Sequence, residues 1–144
     1  WNGLEMQYQG IKPKIIVEPL MRDFTGKNGE QIQVYCFNGK AKVVIKFWGN
    51  NLLSIWDSDF KSIDNYFKFP EKNIKQKSNS IIQLAMELSV QLAENFNFIR
   101  VDWYIFKNKL YFEELTLTPY SGFINFSIKH VNFLLGNLIN LERT

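Results

Sequence analysis

The alternation of apolar and polar residues is clearest over Phe98–Phe106, where Arg100 and Asp102 share one face and apolar residues form the other. Such a two-residue period predicts a half-buried β-strand. A second strand is predicted over residues 110–118. Residues 107–109 between them read Lys-Asn-Lys, and asparagine tolerates the left-handed backbone of a tight turn. The two strands are therefore predicted to form a hairpin.

The length of the hairpin loop decides which glutamate lies across from Asp102. A three-residue loop places Glu114 opposite Asp102, with Phe112 and Thr116 on the same face. A two-residue loop places Glu113 there instead, because a slip of one residue turns every side chain over. The three-residue loop is favoured because it gathers apolar side chains on the opposite, core face, namely Val101, Ile105, Tyr111, Leu115 and Leu117.

Further segments of strand length are bounded by turn residues. They are residues 14–18, predicted to be a buried strand that ends at Pro19; residues 31–37 and 41–48, joined by the turn Asn38-Gly39; and residues 52–56. Helical spacing predicts a helix from Ser78 or Ser80 to about Asn95 and a terminal helix over residues 129–141. Gly136 interrupts the terminal helix at a cost of about 1 kcal/mol relative to alanine. The fold class predicted is α+β, a mostly antiparallel sheet with helices packed on one face.

Composition narrows the classes of function. The 144 residues amount to one domain, residues 1–144, and 16% aromatic content indicates a globular chain. A net charge of +3 without a run of like charges argues against a nucleic-acid-binding surface. One cysteine and one histidine are too few for a zinc site or a Ser-His-Asp triad. We find no apolar run of membrane-spanning length, and the expected location is cytoplasmic.

Two carboxylates facing each other across a hairpin repel unless a cation lies between them. Carboxylate oxygens, together with a nearby hydroxyl, suit a hard ion such as Mg²⁺, which keeps its waters and takes further ligands from a phosphate. The alternative is that Asp102 and Glu114 are solvated and bridged by Arg100 or by lysines. On spacing alone this second interpretation is favoured.

The same hairpin carries a resemblance to a known family. The segments RVDWY and LYFEELTLTPYSGF resemble the closing hairpin of ATP-grasp enzymes, and specifically the TupA-like ATP-grasp family of surface-polysaccharide and teichuronopeptide biosynthesis. Two further segments, IKPKIIVEPLM and VYCFNGK, match the same family in the same order. This chain departs from the family pattern at Glu113, where a small residue is usual, and at Gln31 and Gln33, where an acidic residue and a lysine are usual.

The resemblance implies a Mg²⁺-ATP-dependent carboxylate ligase that works through an acyl phosphate. In that pattern the metal that bridges the ATP phosphates is held by three residues, which here are Asp102, Glu114 and Thr116. Arg100 is then the cation near the transferred phosphoryl group, and the backbone at Ser121-Gly122 faces the developing oxyanion. The adenine edge is expected to meet backbone groups of the hinge, which are those of Glu18, Pro19, Leu20 and Met21. Lys61, in a long loop, is a further candidate for a phosphate contact, although a solvated lysine is the favoured interpretation.

The resemblance also implies that this chain is the C-terminal part of an ATP-grasp fold. Family members carry upstream segments whose lysine and flexible loop clamp the phosphates, and this chain begins with Trp1 rather than methionine. We therefore expect a longer protein that acts on a carboxylate-bearing polymer precursor, while these 144 residues alone bind nucleotide weakly and are inactive. The alternative function, from another class, is a non-catalytic fragment or binding module that retains half of the fold.

Overall fold

The described residues form a five-stranded antiparallel sheet. The computed structural model describes residues 6–20, 29–48, 51–59, 61, 63, 80–122 and 129–141. The sheet has the strand order β3-β2-β1-β4-β5. The elements are β1 (Glu30–Phe37), β2 (Lys40–Trp48), β3 (Asn51–Asp57), α1 (Ser80–Leu92), β4 (Phe98–Phe106), β5 (Lys109–Thr116) and α2 (Lys129–Gly136), with 3-10 turns at Met6–Tyr8 and Pro119–Gly122. The predicted α+β class is confirmed.

The turn between β1 and β2 is the one that the Asn-Gly pair predicts. Asn38 and Gly39 have φ values of 50° and 74°, as a two-residue hairpin turn requires. The Asn38 side chain also binds the C-terminal segment, because its Nδ2 donates to the carbonyl of Leu138 at 2.6 Å and its Oδ1 accepts from the amide of Asn140 at 3.0 Å. A local turn signal therefore also fixes the position of the chain end.

The helix α1 covers one face of the sheet. Its buried residues Ile82 and Ala85 belong to the same core as Val34 of β1. Trp103 of β4 anchors the helix, since its Nε1 donates to Ser89 Oγ at 2.8 Å and that hydroxyl donates to the helix carbonyl of Ala85 at 2.6 Å. The buried indole and hydroxyl thus satisfy each other.

The helix α2 packs against the opposite face of the sheet, whereas the sequence predicted both helices on one face. Leu135 of α2 joins a second core formed by residues such as Tyr35 and Phe37. The reason lies in β1, where the adjacent residues Val34 and Tyr35 are both apolar and point to opposite faces. Both faces therefore need cover, and Val34 and Tyr35 are 0% and 5% exposed.

The buried strand predicted at residues 14–18 is wrong. These residues have no secondary structure, and Ile15 and Val17 are 94% and 90% exposed. A β-branched run favours an extended chain, but a strand also needs a neighbour, and residues 14–18 pair with none of the described strands. The terminal helix is also shorter than predicted and ends at Gly136.

Candidate functional site

The register of the β4–β5 hairpin decides which side chains share a face. Its loop has two residues, Lys107 and Asn108, with φ values of 49° and 57°, so the predicted three-residue loop is wrong. A β-bulge then inserts Glu113 as an extra residue on β5. The bulge restores the predicted pairing, and Asp102 lies opposite Glu114.

The bulge also changes the neighbours of this pair. Phe112 lies opposite Trp103 on the α1 face, with ring centroids 5.8 Å apart, and does not share the face of Asp102 as predicted. Tyr111 pairs with Tyr104, on the Asp102 face, and not with the core residues. Glu113 accepts a hydrogen bond from Gln31 Nε2 at 2.6 Å and one from the Tyr104 hydroxyl. Gln31 and Tyr104 lie on the same strand face as Asp102. Glu113 therefore lies on that face together with Glu114, whereas the sequence predicted only one of the two glutamates there.

Arg100 connects the acidic side chains of this face. Its Nε and Nη2 donate to the two carboxylate oxygens of Asp102 at 2.8 and 2.7 Å, which is a two-pronged ion pair. The same Nη2 donates to Glu114 Oε1 at 2.8 Å and to Thr116 Oγ1 at 3.1 Å. Thr116 in turn donates to Glu114 Oε1 at 2.8 Å. We call these four side chains the Arg100 cluster.

The members of the Arg100 cluster differ sharply in burial. The Asp102 side chain is 1% exposed and that of Glu114 is 54% exposed. Burial raises the pKa of Asp102 to about 7, although Arg100 lowers it and the charges of Glu114 and Glu113 raise it further. Burial acts to lower the pKa of Arg100, but its bonds to Asp102 outweigh that effect and raise it. One guanidinium therefore pairs with two carboxylates, Asp102 and Glu114, while Glu113 adds a further negative charge nearby.

The strand β1 supplies the polar side chains next to the Arg100 cluster. Gln33 lies opposite Asp102 and Tyr35 lies opposite Arg100. The Tyr35 hydroxyl donates to Gln33 Oε1 at 3.5 Å, and burial raises the pKa of Tyr35 to about 12. Tyr35 is thus a neutral donor at this face, as is Tyr104. The strand period of the sequence places Tyr104 on the face of Asp102, but neither Tyr104 nor Tyr35 was predicted to be a site residue.

The donor set of the Arg100 cluster fits a magnesium ion. It offers two carboxylates and a hydroxyl, all hard oxygen ligands, and phosphate and water oxygens would complete the coordination. Asp102 and Glu114 each place an oxygen within 2.8 Å of the same nitrogen, so one small cation can reach both. Among the described residues, no group of three or more histidine, cysteine, aspartate or glutamate side chains is placed to hold a metal by itself.

The predicted hinge and Lys61 do not contact the Arg100 cluster through any hydrogen bond or ion pair of the described residues. Pro19 and Leu20 are exposed, and the charge of Glu18 acts on Tyr104, whose pKa is raised mainly by burial. Met21 lies outside the described residues. Lys61 is exposed, lies 3.9 Å from Asp59 and follows β3, an edge strand that the strand order separates from β4 by about 14 Å at the usual strand spacing. The structure does not bring Lys61 to the cluster.

The segment after β5 has an unusual backbone. Tyr120, Ser121 and Gly122 have φ values of 53°, 52° and 83°, and left-handed conformations are costly for the first two. The amide of Ser121 donates to the carbonyl of Thr118 at 2.9 Å. The Ser121 amide is therefore already engaged, and the predicted oxyanion contact would have to be made by the amide of Gly122.

Comparison with known proteins places the chain in a family. In the described part of the chain, no helix is both long and apolar enough to cross a membrane. Searches of curated proteins and of solved structures return no match. The family model described as TupA-like ATPgrasp matches residues 2–140, nearly the whole chain. The chain therefore belongs to the TupA-like ATP-grasp family.

Proposed function

We propose that this chain is the metal- and phosphate-binding part of an ATP-dependent carboxylate ligase that acts on a carboxylate-bearing precursor of a cell-surface polysaccharide or teichuronopeptide. The observation that carries the proposal is the Arg100 cluster, in which Asp102, Glu114 and Thr116 meet on one sheet face. Paired oxygen ligands beside a guanidinium suit phosphoryl transfer, which depends mainly on positioning and on neutralising charge.

In the proposed reaction each side chain has a separate task. A magnesium ion would neutralise the charge of the ATP phosphates and polarise them. Asp102, Glu114 and the Thr116 hydroxyl would hold that ion, and Thr116 also donates to Glu114 at 2.8 Å. Arg100 stabilises the charge on the transferred phosphoryl group, and the Gly122 amide stabilises the oxyanion that forms when an amine attacks the acyl phosphate. The carboxylate oxygen forms a bond to the γ-phosphorus as the bond to ADP breaks, and the amine later displaces phosphate and loses a proton.

The second candidate is a non-catalytic binding module, and one observation favours it. Gln31 and Gln33 occupy the places of the acidic residue and lysine of the family pattern, and both lie on the same face as Asp102. Two neutral amides there supply fewer charged contacts to ribose and phosphate than the usual pair. A module that binds nucleotide without turnover would have this property.

The proposal predicts a binding difference between two neighbouring glutamates. Glu114→Gln removes a carboxylate from the predicted metal site and should weaken Mg²⁺-dependent ATP binding at least tenfold, an effect of about 1.4 kcal/mol. Glu113→Gln is the matched control, because Glu113 is held by Gln31 and Tyr104 and not by Arg100. Calorimetric titration with ATP, with and without Mg²⁺, measures both. Equal losses in the two variants would contradict the assignment of Glu114.

Catalysis is tested in the longer protein that contains this chain. Hydroxylamine traps acyl phosphates as hydroxamates, so a substrate carboxylate that is activated should yield hydroxamate in the presence of Mg²⁺-ATP. ADP formation that depends on the carboxylate supports the ligase. Mg²⁺-ATP binding without any hydroxamate or ADP would favour the binding module instead.

A further inference from the structure

Arg100 occupies the position at which a bridging metal ion is expected. Its Nη2 lies 2.7 Å from Asp102 Oδ2, 2.8 Å from Glu114 Oε1 and 3.1 Å from Thr116 Oγ1. Ligand oxygens surround Mg²⁺ at about 2.0–2.1 Å. An ion that bridges the same oxygens would overlap the volume that Nη2 fills. The guanidinium and the metal therefore cannot both lie between the two carboxylates.

We infer that Arg100 is the resident cation of this site in the nucleotide-free protein and that it exchanges with the divalent ion when ATP binds. The inference rests on the proposed function and concerns the order of events in that same site. The metal takes the oxygens of Asp102 and Glu114, and the arginine side chain turns toward the phosphates that arrive with it. Positive charge thus remains beside the carboxylates throughout the exchange.

The strength of the arginine contacts explains why the exchange requires nucleotide. The Arg100 side chain is only 8% exposed, and its Nε and Nη2 make two charge-assisted hydrogen bonds to the buried carboxylate of Asp102. Mg²⁺ gives up its own waters reluctantly. A metal ion alone must displace the guanidinium from Asp102 and gives it no new hydrogen-bond acceptor. ATP instead offers the displaced guanidinium the anionic oxygens of its phosphates. We therefore expect Mg²⁺ and ATP to bind with positive coupling.

The exchange also places Arg100 at the phosphates only when the metal is bound. A guanidinium held by Asp102 and Glu114 has its Nε and Nη2 engaged, which leaves at most Nη1 for a phosphoryl group. Once the ion holds these carboxylates, the same guanidinium is free to stabilise the transferred group. Arg100 then acts as a positioning residue before metal binding and contacts the nucleotide after it.

The first test follows the Arg100 side chain by nuclear magnetic resonance on ¹⁵N-labelled protein. The Nε–Hε signal, identified by its loss in Arg100→Lys, should be protected from solvent exchange because Nε donates to buried Asp102 at 2.8 Å. Mg²⁺ alone should leave the signal unchanged. Mg²⁺ with ATP should shift it and accelerate its exchange with solvent. An unmoved signal at saturating Mg²⁺-ATP would overturn the exchange.

The second test uses Arg100→Lys, which keeps the net charge but loses the two-pronged geometry. If the two-pronged contact of Arg100 with Asp102 keeps a metal ion out of the site, this variant should bind Mn²⁺ in the absence of nucleotide about tenfold more tightly than wild type. Electron paramagnetic resonance of free Mn²⁺ measures the affinity. A purely electrostatic role of Arg100 predicts equal affinities, and that result would also overturn the exchange. Adding Glu114→Gln to the variant should abolish the gain.

The two proposals fail in different ways. If Mg²⁺-ATP binds and Glu114→Gln weakens it while the Arg100 signal does not move, the exchange is wrong and the metal site stands. If wild type binds no Mg²⁺-ATP, or binds it as well after Glu114→Gln, the proposed function fails and the exchange fails with it. Circular dichroism of each variant confirms that it is folded.

Discussion

Replacing Arg100 with methionine shows how far the buried carboxylate of Asp102 depends on its partner. Methionine keeps an unbranched stem and removes the guanidinium that donates to Asp102 at 2.8 and 2.7 Å. Loss of one partner from a buried ion pair typically costs about 3–5 kcal/mol, because the other group must either stay charged without compensation or change its protonation state. Since Asp102 is 1% exposed, we expect a loss in this range in the free energy of unfolding at pH 8.

The loss should depend on pH in a defined direction. Burial already raises the pKa of Asp102 to about 7 with Arg100 in place, and removing Arg100 raises it further. A carboxyl group whose pKa is raised by folding stabilises the protein at low pH, and the stability is lost as the pH rises through the folded-state value. Above pH 7 Asp102 is ionised in the folded wild type, so this group no longer changes the wild-type free energy of unfolding. In the folded variant Asp102 still binds a proton. The difference between them should therefore grow by about 1.4 kcal/mol per pH unit above 7.

Urea unfolding followed by tryptophan fluorescence at pH 6 and pH 8.5 measures this difference. Glu114→Gln is the control, because the Glu114 side chain is 54% exposed and its pair with Arg100 is screened by water. That variant should lose less than about 1 kcal/mol at either pH. A loss in Arg100→Met that is the same at both pH values, or no larger than that of Glu114→Gln, would refute the account of Asp102 as a buried carboxylate held by Arg100.

Two further predictions concern the sheet. Cys36 is 0% exposed and burial raises its pKa from 9.0 to about 12, so a thiol reagent should label it at pH 8 only after unfolding. The free energy of unfolding should also fall above pH 9, because the thiol then ionises in the unfolded protein and not in the folded one. Rapid labelling of the folded protein would contradict the burial of Cys36. Asn38→Gly keeps the positive φ of the turn but removes the hydrogen bonds to Leu138 and Asn140. Urea unfolding should show a loss of about 1–2 kcal/mol in the free energy of unfolding. An unchanged urea midpoint would mean that the turn does not hold the chain end.

The sequence alone was sufficient for most of the elements and for the four side chains of the Arg100 cluster. The two-residue period over Phe98–Phe106 and the Asn38-Gly39 turn are local properties of the chain, and both are confirmed. The motif residues Asp102 and Glu114 were paired correctly from the sequence. The predicted loop length was nevertheless wrong: the two-residue loop shifts the register by one, and the bulge at Glu113 shifts it back. Two local irregularities cancelled, and no periodicity reveals such a cancellation.

Tertiary structure decided everything that depends on a neighbour distant in sequence. Residues 14–18 have strand composition, yet no described strand lies beside them, because pairing requires a free edge that composition cannot locate. The face covered by α2 follows from the packing of both sides of β1. The position of Arg100 between two carboxylates depends on the sheet register, which brings Glu114 opposite Asp102 and Thr116 opposite Arg100. The sequence thus determined which residues form the candidate site, and the folded sheet determined which cation lies among them.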